Sequence, residues 1–121
     1  MDKTVLLVED CEVQRKMIKS VLSMRYNVDE AGSAEEAISI YDPNKHSVII
    51  TDYEMDKLSG ADFIKFVDGK TPSILMSSDN HEKEALQAGA SCFFMKPTLA
   101  FMLINKIDEL MGEELYLGDI E

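Results

Sequence analysis

Short apolar runs alternate along the chain with stretches in which apolar residues recur at helical spacing. Thr4–Val8 (TVLLV) is apolar after its first residue, which suits a strand covered on both faces. Val13, Met17, Ile18, Val21 and Leu22 recur at helical spacing and predict an amphipathic helix over Glu12–Met24, apolar side inward. Asn27–Ala31 gives a weak strand signal. Ser33-Ala34-Glu35-Glu36 has capping-box spacing and opens a helix with Ala37, Ile38 and Tyr41 inward. Asp42-Pro43-Asn44 stops it, and Ser47–Thr51 (SVIIT) follows as an apolar strand. Gly60–Asp68 reads as a short helix carrying Phe63, Ile64 and Val67, closed by the turn signal Asp68-Gly69. Ser73–Met76 is a strand, His81–Ala88 a short helix with Gly89 as its C-cap, and Ser91–Met95 the last strand. Thr98–Met111 is the last helix, and the acidic tail Glu113–Glu121 is expected to fray.

Five strands thus alternate with five helices, which implies a parallel sheet with helices on both faces. Right-handed crossovers then restrict the topology to a doubly wound α/β fold. A length of 121 residues allows one domain, spanning 1–121. The 23 acids and 12 bases leave a net charge of −11, and the densest basic cluster is Arg15-Lys16. That balance argues against nucleic acid as a partner and for a possible cation site. Cys11 and Cys92 form no CxxC pair and read as free thiols in a reducing compartment. The start has no signal-peptide layout, and the longest apolar run, Leu99–Ile104, has six residues, against about 20 for a membrane helix. The expectation is a cytoplasmic protein with no membrane partner.

Ligands of open parallel sheets bind beyond the carboxyl ends of the strands. Glu9 and Asp10 follow the first strand, Asp52 the third, Ser77, Ser78 and Asp79 the fourth, and Lys96 the fifth. Taken singly, these residues have ordinary roles as caps, loop acids and surface charges. Together, three carboxylates, hydroxyls and one lysine meet on one rim. Carboxylates crowded in this way repel, and Mg2+, a hard cation that takes oxygen ligands, relieves the repulsion. An aspartate beside it can act as a nucleophile toward phosphorus. The lysine and a serine hydroxyl can hold phosphoryl oxygens, and phosphoryl transfer needs mainly such positioning and neutralisation.

VLLVED (Val5–Asp10), TDYEMDKLSG (Thr51–Gly60), PSILMSS (Pro72–Ser78) and AGASCFFMKP (Ala88–Pro97) together resemble the receiver domain of two-component response regulators, over the whole chain. The resemblance implies a flavodoxin-like sheet of order 2-1-3-4-5. It implies that Asp52 accepts a phosphoryl group from a histidine kinase or histidine phosphotransfer protein. It implies that Asp10 and Asp52 bind Mg2+ directly, Glu9 through water, and Glu54 through its backbone carbonyl. Ser77 and Lys96 would hold the phosphoryl oxygens, Lys96-Pro97 would be cis, and Ser77 and Phe93 would be the switch residues. Glu54 and Asp79 would flank the approach of water to the acyl phosphate. Such a chain is a phosphoacceptor switch that assists its own phosphorylation and dephosphorylation, rather than an enzyme.

The sequence departs from that family at Asp56, where a proline is usual, and at Ser78, where a smaller residue is usual. Ser77–Gly89 is about one turn short, which abbreviates the fourth helix. Phe93 and Phe94 must point to opposite faces, and one of them is expected to be partly exposed. His46 and His81 read as surface residues without a second metal ligand nearby. The reading is a stand-alone receiver acting through a partner protein, with two alternatives: a receiver cut from a larger regulator or hybrid kinase, or an aspartate-nucleophile phosphatase. A flavodoxin-like mononucleotide module would share the topology, but Glu9-Asp10 would repel its phosphate. The broad apolar arc of the last helix, with Phe101 outside it, leaves open a homodimer or partner contact.

Overall fold

The computed structural model describes residues 3–112. Its elements run β1 (Thr4–Val8), α1 (Glu12–Leu22), β2 (Asn27–Ala31), α2 (Ala34–Ile40), β3 (His46–Asp52), α3 (Gly60–Val67), β4 (Ser73–Ser77), α4 (Glu82–Ala88), β5 (Cys92–Met95) and α5 (Ala100–Leu110). The strands form one parallel sheet of order β2-β1-β3-β4-β5, as the doubly wound reading requires. The tail Glu113–Glu121 lies outside the described residues. Among those residues no helix is long and apolar enough to cross a membrane.

Strand alternation divides the apolar residues between two cores. Leu6, Val8, Ile49 and Leu75 face α2, α3 and α4, where Ala34, Ala37, Phe63, Ile64, Val67 and Ala85 cover them. Val5, Leu7, Val48, Ile50, Ile74 and Met76 face α1 and α5, where Leu22, Leu103 and Ile107 cover them. Fully burying one such side chain contributes about 1.5–3 kcal/mol, so the central strands β1, β3 and β4 anchor the domain.

The helix ends follow local chemistry, with two differences from expectation. Ser33 caps α2 by accepting from the Glu36 N–H, but the Glu36 carboxylate accepts from the Gly32 N–H, so the reciprocal box is not formed. The full capping box belongs to α3, where Ser59 and Asp62 bond each other's backbone N–H groups. At the end of α4, Gly89 takes φ 110°, which fits its expected role as C-cap.

Helix α1 corrects the expected apolar face. Val13 and Met17 are 68% and 65% exposed, while Leu22 is buried. The helix turns toward the sheet the face that bears Arg15, Ile18, Lys19 and Leu22. The reason is Glu30 on β2, which meets Arg15 Nε at 3.1 Å, Lys16 Nζ at 3.1 Å and Lys19 Nζ at 2.7 Å. His46 is a second correction, because its side chain is fully buried at the start of β3. Its Nε2 stands 2.8 Å from Asp29 Oδ2, its Nδ1 accepts from the Asp42 N–H, and its ring stacks on Tyr41. Helix α5 is shorter than expected at its start, and Leu99, Phe101 and Met102 remain exposed. Buried on α5 is also a charge, Asp108, which accepts from Tyr26 Oη at 2.6 Å and from Arg25 Nη2 at 2.7 Å.

Two stability predictions follow from these ties. Asp108→Ala removes the carboxylate that Arg25 pairs with and leaves the buried Tyr26 hydroxyl only its long contact with the Ile104 carbonyl, and it should lower unfolding free energy by about 2–3 kcal/mol in a denaturant titration. Glu30 is held below the carboxylate range, first by Lys19, then by Lys16 and Arg15, which bring it from 4.5 to about 2. A depressed folded-state value means that this stabilisation is complete above about pH 4.5 and is lost as pH falls toward 2. Glu30→Gln should therefore cost about 1 kcal/mol at pH 7 and flatten the stability profile between those limits, as read by denaturant melts at stepped pH.

Candidate functional site

Because every strand is parallel, the carboxyl ends of β1, β3, β4 and β5 open on one edge. Backbone hydrogen bonds continue past the strands there. Glu9 N–H donates to the Ala31 carbonyl (3.0 Å), Tyr53 N–H to Met76 (2.7 Å) and Lys96 N–H to Ser77 (2.8 Å). These bonds fix the stems of the functional side chains. Gly60 fits the same requirement: a Cβ there would lie 2.0 Å from the Asp52 carbonyl oxygen, so only glycine lets α3 start this close. In the loop between them Lys57 adopts a left-handed φ of 67°, a conformation that side-chain-bearing residues seldom take.

Glu9, Asp10 and Asp52 each bring a carboxylate oxygen within 4.8 Å of the others. Glu9 and Asp52 are buried and Asp10 is exposed. Lys96 Nζ reaches Asp52 Oδ1 at 2.9 Å, Glu9 Oε1 at 3.1 Å and Gln14 Oε1 at 3.0 Å. Its contact with Asp52 is one of charge rather than of a directed hydrogen bond, and Oδ1 has no hydrogen-bond partner. Burial pushes the Asp52 carboxyl up; Lys96 opposes this, and the charges of Glu54 and Asp10 add to it. Burial and then Asp52 push Glu9 up as well. Burial works against the Lys96 ammonium, but Asp52 and Glu9 outweigh it and hold the group above its ordinary range. Three carboxylates against one ammonium leave two surplus negative charges. An all-oxygen donor set with that surplus suits a hard divalent cation.

Ser77, fully buried at the end of β4, donates through Oγ to Glu54 Oε2 at 2.7 Å and accepts from the Asp79 N–H at 3.0 Å. Glu54 Oε2 also lies 3.1 Å from His81 Nε2. The His81 ring stacks flat on Tyr53, with centroids 4.0 Å apart and planes 3° apart. The expectation that His81 is a surface residue with no second ligand nearby is therefore corrected: Glu54, Asp79 and His81 bring ligand atoms within 4.8 Å of one another. For His46 the correction lies in its burial against Asp29. Phe93 packs on the α2–α4 core and Phe94 on the α1–α5 core, so the two rings take opposite faces as expected, but both are half-buried where only one was expected to be partly exposed. The Lys96-Pro97 peptide is cis.

Sequence reasoning missed Gln14 and Arg15. Gln14 is one helical turn beyond Asp10, and its amide oxygen accepts a hydrogen bond from Lys96 Nζ. Arg15 Nη1 donates to the Glu9 carbonyl at 2.8 Å while its Nε meets Glu30. The available signal was position: both lie in the first turns of the helix that follows Glu9-Asp10.

Known proteins share this fold. Residues 5–108 match the response regulator receiver domain family. The two-component response regulator ORR3 of Oryza sativa subsp. indica is 36% identical, over 77% of this chain and 79% of its own. Chemotaxis protein CheY1 of Helicobacter pylori is 28% identical, over 89% of this chain and 96% of its own. A response regulator receiver domain protein from Clostridium thermocellum superposes with a TM-score of 0.85 at 25% identity, over 95% of this chain and 98% of its own. CheY4 of Vibrio cholerae gives a TM-score of 0.81 at 24% identity, over 91% and 99%. The family match spans both cores and all four strand ends that build the acidic edge, and the chain therefore belongs to the response regulator receiver domain family.

Proposed function

We propose that this receiver accepts a phosphoryl group on Asp52 from a histidine kinase or histidine phosphotransfer protein, with Mg2+ as cofactor, and that the modification switches binding to a partner protein. The observation that carries this is the buried Asp52 carboxylate, grouped with Glu9 and Asp10 within 4.8 Å and faced by Lys96 at 2.9 Å. An Asp52 oxygen attacks phosphorus, the phosphorus–nitrogen bond to the donor imidazole breaks, and the nitrogen keeps the bonding pair, so that an imidazole protonated on its other nitrogen leaves neutral. Lys96 is placed to shift its ammonium from Asp52 to an oxygen of the incoming group. Ser77 lies at the end of the neighbouring strand and supplies the hydroxyl.

Asp10, Asp52 and the Glu54 backbone carbonyl are the groups that would hold the cation. Glu9 fits an outer role, since Oε2 accepts from the Cys11 N–H and Oε1 from Lys96. The bound ion would neutralise the surplus charge of the edge and of the transferring group. No feature of the edge favours a phosphatase over a phosphoacceptor, so the aspartate-nucleophile hydrolase gains no support. A homodimer through the exposed side of α5 remains a separate proposal, with Leu99, Phe101 and Met102 as its surface.

Incubation with acetyl phosphate and Mg2+ should add one phosphoryl mass to the intact protein, and Asp52→Asn should abolish the gain. Equal labelling of that variant would remove Asp52 from the role. Mg2+ alone should raise the melting temperature by mass action, by the equivalent of about 2.7 kcal/mol at a hundredfold excess over its dissociation constant. Asp10→Ala should abolish the rise while relieving repulsion in the ion-free protein. An unchanged Mg2+ response in that variant would exclude Asp10 as a ligand.

A further inference from the structure

A serine hydroxyl carries one proton and can donate it to one acceptor at a time. The Ser77 hydroxyl is already committed as a hydrogen-bond donor to Glu54 Oε2 at 2.7 Å, and its oxygen accepts from the Asp79 N–H at 3.0 Å. The same Glu54 oxygen is met from its other side by His81 Nε2 at 3.1 Å. Nearly half of the Glu54 side chain is exposed, at 48%, so without a hold it would sample open rotamers. His81 supplies that hold because it is itself fixed, stacked on Tyr53 with planes 3° apart. Tyr53 in turn packs on the core beneath α2–α4 and follows Asp52 directly.

We propose that Glu54, positioned by His81, is a latch that occupies the Ser77 hydroxyl and slows phosphorylation of Asp52. The inference rests on Asp52 being the phosphoacceptor. For Ser77 to donate to a phosphoryl oxygen, its bond to Glu54 must break. The Glu54 charge also faces Asp52 and adds to the negative field that an anionic donor must enter. The Glu54 carboxylate and His81 are positioning groups: His81 acts through Glu54, and the Glu54 side chain acts through the Ser77 hydroxyl and through its charge facing Asp52. The latch also carries the event outward, since His81 immediately precedes α4.

The test compares wild type, Glu54→Ala, Glu54→Gln and His81→Phe in acetyl phosphate and Mg2+, following the intact mass with time. One hydrogen bond sets the scale, so Glu54→Ala should be phosphorylated about two- to tenfold faster than wild type. Glu54→Gln keeps an acceptor oxygen but no charge and should fall between them. His81→Phe keeps the stack on Tyr53 and loses the contact with Glu54, so it should also be faster. Beryllofluoride, a stable phosphoryl mimic, should bind all three variants more tightly in the same rank order, which a loss of packing alone would not produce. A Glu54→Ala rate equal to or below wild type overturns the latch. A His81→Phe rate equal to wild type beside a faster Glu54→Ala overturns the positioning role of His81. Acceleration that tracks a tighter Mg2+ dissociation constant assigns the effect to the cation site and overturns the latch. Wild type that takes no phosphoryl group on Asp52 overturns the phosphoacceptor reading, and the latch with it.

Discussion

Three carboxylates held against one ammonium at the carboxyl edge of the sheet are the constraint around which this domain is arranged. Asp52 is buried with one oxygen lacking a hydrogen-bond partner, and Glu9 is buried beside it. Charges so placed are costly to remove from water, and their repulsion adds to the cost. They stay because their backbones have little freedom. Ladder bonds run past three strand ends, and Arg15 clasps the Glu9 carbonyl. Gly60 allows α3 to begin against the Asp52 carbonyl, and the Ser59–Asp62 box fixes that start. Lys96 is the ammonium set against them, hydrogen-bonded to Glu9 and Gln14 and standing 2.9 Å from Asp52 Oδ1.

The other end of the sheet has the opposite character. There His46 satisfies both ring nitrogens, Tyr41 and Thr71 share a hydroxyl contact of 2.6 Å, and half-buried Arg25 joins the buried Tyr26 and Asp108 in a triad. Ser73 Oγ is the exception, a buried hydroxyl without a partner. It is neutral, so it costs far less than an unpaired carboxylate. Apart from the Glu30 cluster near the end of β2, these stabilising polar contacts gather where the strands begin, and they offset the strained charges where the strands end. Packing of the two apolar cores between these ends transmits the rigidity. This separation allows the edge to stay reactive without unfolding the domain.

Much of this was legible in the sequence, for physical reasons. Buried parallel strands are near-continuous apolar runs, so β1, β3 and β4 stand out, and parallel strands deliver their following residues to one edge. Glu9, Asp10, Asp52, Ser77 and Lys96 converge on that ground alone. What failed was set by partners distant in sequence. The apolar stripe of α1 suggested Val13 and Met17 as core, yet Glu30 on β2 draws Arg15 and Lys19 inward instead. His46 is buried because Asp29 and Tyr41 arrive from other elements, and His81 meets Glu54 only once β3 and β4 are side by side. The Ser59 box escaped notice because Asp62 stands where Glu or Gln is usual.

The two adjacent acids at the end of β1 are not equivalent, and the geometry says why. Glu9 continues the strand direction inward and is 1% exposed; its longer side chain folds back so that Oε2 takes the Cys11 N–H. That bond gives a charge to the start of α1, where the exposed N–H groups and the helix dipole favour an anion. Its other oxygen takes Lys96. Glu9 therefore ties three things together: the first strand, the first helix and the lysine that arrives after the last strand. Asp10, one residue on, is exposed to solvent. Its shorter stem keeps the carboxylate close to the backbone and within 4.8 Å of Asp52. An incoming ion can meet Asp10 without first breaking a protein contact, whereas meeting Glu9 would release both Lys96 and the helix start. The order Glu-Asp thus assigns one acid to holding the edge in shape and leaves the other free to bind.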